Sequence, residues 1–175
     1  DSSAWKMEQE GDNNFVALVQ QSEYDPPHRS PLNISLIENP LFKDFTLTLK
    51  AKSTKGDYNH RDLCVFFGYQ DASHFYYAHL GMKADAHAHS IFIVNDTARV
   101  SIATERTDSL TWGGKWHDVK VTRNTDSGSI EIYFDNMETP IMKAVDKTFS
   151  EGKIGIGSFD DTGYFDDIKV YTNEK

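Results

Sequence analysis

The sequence predicts an all-β fold, a sandwich of two antiparallel sheets. Three observations carry that expectation. Short runs rich in β-branched and aromatic residues recur along the chain, most of them alternating apolar and polar residues with period two. Clusters of Gly, Asn, Asp and Ser separate the runs at spacings that suit hairpins and short loops. No window of ten or more residues carries the helical period.

In chain order, residues 1–30 are the least regular, and Asp25-Pro26-Pro27 reads as an extended or turning segment before the first clear strand. Strands are expected at 31–37, 45–53, 63–70, 74–81, 90–95, 99–103, 117–123, 129–135, 153–159 and 165–172. Phe45, Leu47 and Leu49 share one face of their strand, with Thr46, Thr48 and Lys50 on the other. Val119 and Val121 lie opposite Lys120 and Thr122, and Ile130, Ile132 and Phe134 lie opposite Glu131 and Tyr133. Asp126-Ser127-Gly128 and Asp135-Asn136-Met137 read as hairpin connections. No repeat, low-complexity tract or linker divides the chain, so 1–175 is expected to be a single domain.

The formal net charge of −9 and the absence of a basic stripe argue against nucleic acid as a partner. No apolar run approaches the roughly 20 residues of a membrane-spanning helix, so no membrane insertion is expected. An acidic glycan stays open, because a local His/Arg cluster can hold anions on an acidic protein. Cys64 is the single cysteine, which excludes an internal disulfide, and within LCVFFGY it reads as a small buried hydrophobe. The start at Asp1 reads as trimmed.

The C-terminal half carries a connected pattern: Trp116-His117, Phe134-Asp135-Asn136, Asp146-Lys147-Thr148-Phe149, Gly152 to Gly157, and Phe165-Asp166-Asp167. Over roughly residues 40–172 it resembles the concanavalin A-like, laminin-G-like jelly rolls of secreted bacterial carbohydrate-active proteins. The resemblance implies a jelly-roll sandwich, a poly- or oligosaccharide as partner, and a location in the medium, the periplasm or at the cell surface. It requires no cofactor, and structural calcium is the ion in keeping with it. Asp160 and Asp166 are the candidate ligands, although Asp160-Asp161-Thr162-Gly163 is also a good turn by itself. Lectins, glycosidases, polysaccharide lyases and binding modules all use this sandwich, so the fold names no activity.

The chemistry concentrates between residues 60 and 89, which hold five of the seven histidines, interleaved with Arg61, Tyr69, Tyr76 and Tyr77. If Phe75, Tyr77 and His79 share a strand face, they can meet Arg61, Tyr69 and His89 from neighbouring strands. β-Elimination at a uronate would use Arg61, Asn59 and His60 on the carboxylate, His79 or His89 as base and Tyr77 as acid. This lyase reading leads, although neither Arg-x-Glu-x-Arg nor Gln-x-His, the alginate-lyase motifs, is present. A carbohydrate-binding module is the alternative, with Trp112, Trp116, Tyr69 and Tyr76 as candidate platforms. Trp112 beside Gly113-Gly114 is expected to be exposed and Trp116 to be core. His87 joins the candidate substrate contacts, and His28 and Arg29, after two prolines, fit either a substrate clamp or a solvated loop. A glycoside hydrolase needs two carboxyl groups across a cleft, and no strand offers such a pair. His87-x-His89 has the spacing of a β-strand metal site but lacks a following carboxylate.

Overall fold

A computed structural model describes residues 1–172 of the chain. In chain order its strands are β1 (Trp5–Glu10), β2 (Asn13–Leu18), β3 (Asn33–Leu36), β4 (Phe45–Ser53), β5 (Cys64–Asp71), β6 (His74–His79) and β7 (Ser90–Asn95), then β8 (Val100–Ser101), β9 (Ala103–Arg106), β10 (His117–Asn124), β11 (Ser129–Phe134), β12 (Met142–Val145), β13 (Lys153–Ser158) and β14 (Gly163–Tyr171). An eight-stranded sheet runs β1-β2-β14-β4-β10-β11-β12-β9, and a six-stranded sheet runs β3-β13-β5-β6-β7-β8. The pairings are antiparallel, and the sequential neighbours β1–β2, β5–β6, β6–β7 and β10–β11 form hairpins.

The main core fills the space between the sheets. Leu47, Leu49, Val119, Val121, Ile130 and Ile132 from the larger sheet meet Val65, Phe67, Tyr76, Ala78, Ile91 and Ile156 from the smaller. The Asp146-Lys147-Thr148-Phe149 turn is locked to it. Tyr76 donates its hydroxyl to Asp146 and accepts from the backbone N–H of Phe149. The buried Arg123 donates to the carbonyls of Gly128, Asp146 and Phe149.

A second apolar cluster, Cys64, Phe66, Phe75, Tyr77, Phe92 and Val94, occupies the outer face of the six-stranded sheet. Its burial follows from the segment 19–32. Ser22 N–H donates to Asn33 on the edge strand β3, and the carbonyl of Arg29 accepts from Arg99 N–H just before β8, the opposite edge. The segment therefore reaches across that face. At Gly68, φ is +56° and the β5–β6 register shifts, which turns Tyr69 to the outer face although Val65 and Phe67 point inward. Tyr69 thus stacks on Phe75, their centroids 5.1 Å apart.

Candidate functional site

A pocket of about 180 Å³ opens on this outer face, at the end where β6 and β13 finish and β7 begins. Its walls come from separate stretches: Arg29 from the crossing segment, Tyr58 and His60 from the loop before β5, His79 from β6, and His87 and Ala88 from the loop before β7. Arg99, Phe159 and Asp160 complete it.

Most of the walls are fixed by hydrogen bonds. Tyr58 donates its hydroxyl to the buried Asp161 at 2.8 Å, while Asp161 also accepts from Asp62 N–H at 3.0 Å. Burial and the Asp161 carboxylate push the Tyr58 phenol well up, so it stays protonated. His60 Nε2 sits 2.5 Å from Asp85. The loop carrying His87 is pinned by Arg106, which donates to the carbonyls of Asp85, Ala88 and His89 at 2.9, 3.2 and 3.1 Å.

Behind the pocket lies a buried set, Asp62, Cys64 and His79. Asp62 Oδ2 accepts from Phe159 N–H at 2.8 Å and from the Cys64 thiol at 3.2 Å, and lies 3.5 Å from His79 Nε2. Desolvation pushes the Asp62 carboxyl up to about 8. Desolvation, and then the charge of Arg99, depress His79 to about 3. The three side chains are close enough to hold a metal ion. The hydrogen bonding says otherwise: His79 Nδ1 accepts from His89 N–H at 3.1 Å, so the neutral ring carries its proton on Nε2 and turns a donor, not a lone pair, toward Asp62. The set braces Phe159 and His79 against the pocket.

The pocket brings together His60, His79, His87 and Arg29, with Asp160 at its edge, and leaves the other expected residues elsewhere. Tyr77 is fully buried in the outer-face cluster, its hydroxyl has no partner, and burial raises its phenol well above the usual value, so it is not placed to protonate a substrate. Arg61 is buried as a brace, donating to Asp57, to the Ser53 hydroxyl and carbonyl and to the Gly113 carbonyl, which leaves no free fork for a carboxylate. His89 does not share a face with His87. Its φ of +51° breaks the strand before Ser90 and sends the ring inward to Thr107 at 2.9 Å, while His87 stays exposed. No His-x-His metal site forms.

Asn59 is exposed, Tyr69 lies against Phe75, and His28 is half-buried; none of them lines the pocket. Trp112 is fully buried, donating to the Leu80 carbonyl at 3.1 Å and meeting Phe134 edge-on. The half-buried Trp116 instead packs with Phe15 and Tyr164 on the outer face of the larger sheet. The reason is parity: His117, Val119 and Val121 face inward, so Trp116, one residue earlier, faces out. Asp160 and Asp166 do not come together as calcium ligands, since Asp160 edges the pocket and Asp166 binds Asn13 on the larger sheet. Sequence reasoning missed Arg99, Tyr58 and Phe159. Tyr58 adjoins the Asn59-His60-Arg61 run and was within reach, whereas Arg99 looked like the start of an ordinary strand.

No protein-family model matches the chain, and no curated protein does. Solved structures do. The carbohydrate binding module CBM66 from Bacillus subtilis superposes with a TM-score of 0.66 at 19% identity, covering 97% of this chain and 96% of that one. A putative glycosyl hydrolase from Parabacteroides distasonis gives 0.65 at 11% identity, over 98% and 91%. Lectin I-B4 from Griffonia simplicifolia, in metal-free form, gives 0.59 at 12% identity, over 97% and 92%. The protein has the concanavalin A-like jelly-roll fold, and at these identities the likeness speaks for the fold alone.

Proposed function

We propose that the chain is a carbohydrate-binding module and that the pocket around Phe159 takes one sugar unit. The observation that carries this reading is the composition of the pocket. The ring of Tyr58 offers an apolar face to the C–H side of a sugar, Phe159 carries Arg99 and Arg29 over its ring, and these arginines with His60 and His87 offer hydrogen bonds to the sugar's polar groups. At about 180 Å³ the pocket is smaller than the roughly 300–1,000 Å³ that drug-sized ligands occupy, which suits one ring better than a length of chain. The CBM66 and lectin neighbours support a saccharide as ligand.

Binding is favoured over turnover because, among the described residues, Asp160 is the single carboxylate lining the pocket, whereas glycoside hydrolysis needs two. A lyase would have to work with Tyr58, His60, His79 and His87, without Tyr77 or Arg61. The test is a panel of neutral and uronate polysaccharides, read by retention in affinity electrophoresis, by release of reducing ends and by ultraviolet absorbance of unsaturated product. Retention without either product is expected. Unsaturated product would establish the lyase, and reducing ends alone a hydrolase.

A further inference from the structure

We propose that the sugar held in this pocket is acidic, a hexuronate whose carboxylate is gripped by Arg99 together with Arg29. The inference rests on the reading of the pocket as a glycan site and specifies its ligand. Its first support is how the arginines are paired. Arg61 meets a carboxylate, and Arg106 and Arg123 each donate to three carbonyls. Arg99 and Arg29 form no ion pair among the described residues, on a chain where 27 acidic residues outnumber 18 basic ones. Arg99 makes one long side-chain hydrogen bond, to the His87 carbonyl at 3.4 Å, and its Nε is buried with no partner. A guanidinium has five donors, so most of its hydrogen-bonding capacity is unspent.

The second support is geometry. The Arg99 guanidinium lies 4.4 Å from the Phe159 ring centroid and 5.8 Å from that of Phe92, and Arg29 stacks on Phe159 at 5.6 Å. With Arg99 Nε buried and one terminal nitrogen on the His87 carbonyl, a carboxylate would be met through the two terminal nitrogens, the end-on form of the fork that guanidinium offers to carboxylates. Two like charges held over one ring repel each other, and a bound anion relieves that repulsion. The acidic groups nearby do not fill the role. Asp85 is engaged by His60 and by the N–H of His87, and Asp160 is exposed at the rim. The positive field reaches inward as well, since Arg99 helps to keep His79 neutral.

The experiment uses the full chain and oligosaccharides ending in glucuronate, galacturonate or mannuronate, against the matching neutral oligosaccharides, with sodium acetate and sodium sulfate as simple anions. Titration calorimetry should show at least one uronate-ended probe binding roughly tenfold or more tightly than its neutral counterpart. Arg99→Lys, which keeps the charge but loses the fork, should weaken that probe by roughly 10- to 100-fold. Arg29→Ala, at an exposed position, should weaken it less. Both variants should keep the wild-type thermal midpoint within a few degrees. Equal binding of neutral and acidic probes, or an Arg99→Lys variant that binds as wild type, overturns the inference and leaves the glycan reading standing. Sulfate binding as tightly as the uronates overturns it in favour of a simple anion site. Failure of every saccharide probe overturns both.

Discussion

Raising the pH from about 6.5 to 8 is expected to destabilise the fold by about 2 kcal/mol through the Asp62–His79 pair alone. Burial drives both groups toward their neutral forms, Asp62 up to about 8 and His79 down to about 3. Being 3.5 Å apart, they titrate as a unit: wherever its proton resides, the folded pair holds one titratable proton between those two values. In the unfolded chain, with ordinary values of 3.8 and 6.5, the same two groups hold two protons at low pH, one in the middle range and none above 6.5. Between 6.5 and 8 the folded state therefore binds one proton more than the unfolded state. Stability must fall with rising pH there, by about 1.4 kcal/mol per pH unit.

Urea denaturation midpoints across this range, compared with Asp62→Asn, isolate the effect. Asn keeps an acceptor for Phe159 N–H and the thiol but cannot titrate. His74, raised by its hydrogen bonds to Asp71 and Asp96, and Asp161, raised by burial, also favour their protonated forms in the folded state, so the difference between the two proteins is the decisive quantity. A difference of about 2 kcal/mol corresponds to roughly 4–8 °C in thermal midpoint for a chain of this size. Wild-type and Asp62→Asn profiles that run parallel from 6.5 to 8 would refute the reasoning.

Three further outcomes follow from the same framework. His89, lowered to about 4 mainly by burial, should cost the fold stability as pH falls from 6.5 toward 4, by at most about 3.5 kcal/mol, and His89→Gln should flatten the acid limb of the stability curve. Gly81→Ala places a methyl 2.8 Å from His89 N and 2.9 Å from His79 Nδ1, so it should break their hydrogen bond and cost about 2–3 kcal/mol, with looser glycan binding. Cys64, fully buried and with its thiol raised by desolvation and Asp62, should react with a thiol reagent only as fast as the protein unfolds; rapid native-state labelling would contradict the packing.

The fold was largely legible because burial writes itself into alternation. β4 and β7 run over 45–53 and 90–95 as the sequence predicts, and β4 alternates buried and half-buried residues without a break. β1 and β2 were missed, and in β1 the cause is visible: it is an edge strand with five exposed residues in succession, so no period exists to read. β12 was missed at four residues, too short for a pattern.

The site was legible in region but not in detail. Imidazole density pointed to the end of the smaller sheet where the pocket opens. Which imidazoles face out depended on a left-handed residue at His89, and which tyrosines do so depended on a segment, 19–32, that covers the sheet. Arg99 shows the limit most clearly. The role proposed for it rests on Phe159, just past the end of a strand four places away in the sheet order, and on Arg29, which arrives from the opposite edge. Neither relation has a local signature. What distinguishes Arg99 from the braced Arg61 is unspent hydrogen-bonding capacity, a property of the folded surroundings. Among the described residues the Tyr77 hydroxyl and Arg99 Nε are buried donors left unsatisfied, and of these two only Arg99 belongs to a side chain that lines the pocket; the motif-rich strand beneath it offers a donor sealed in an apolar cluster.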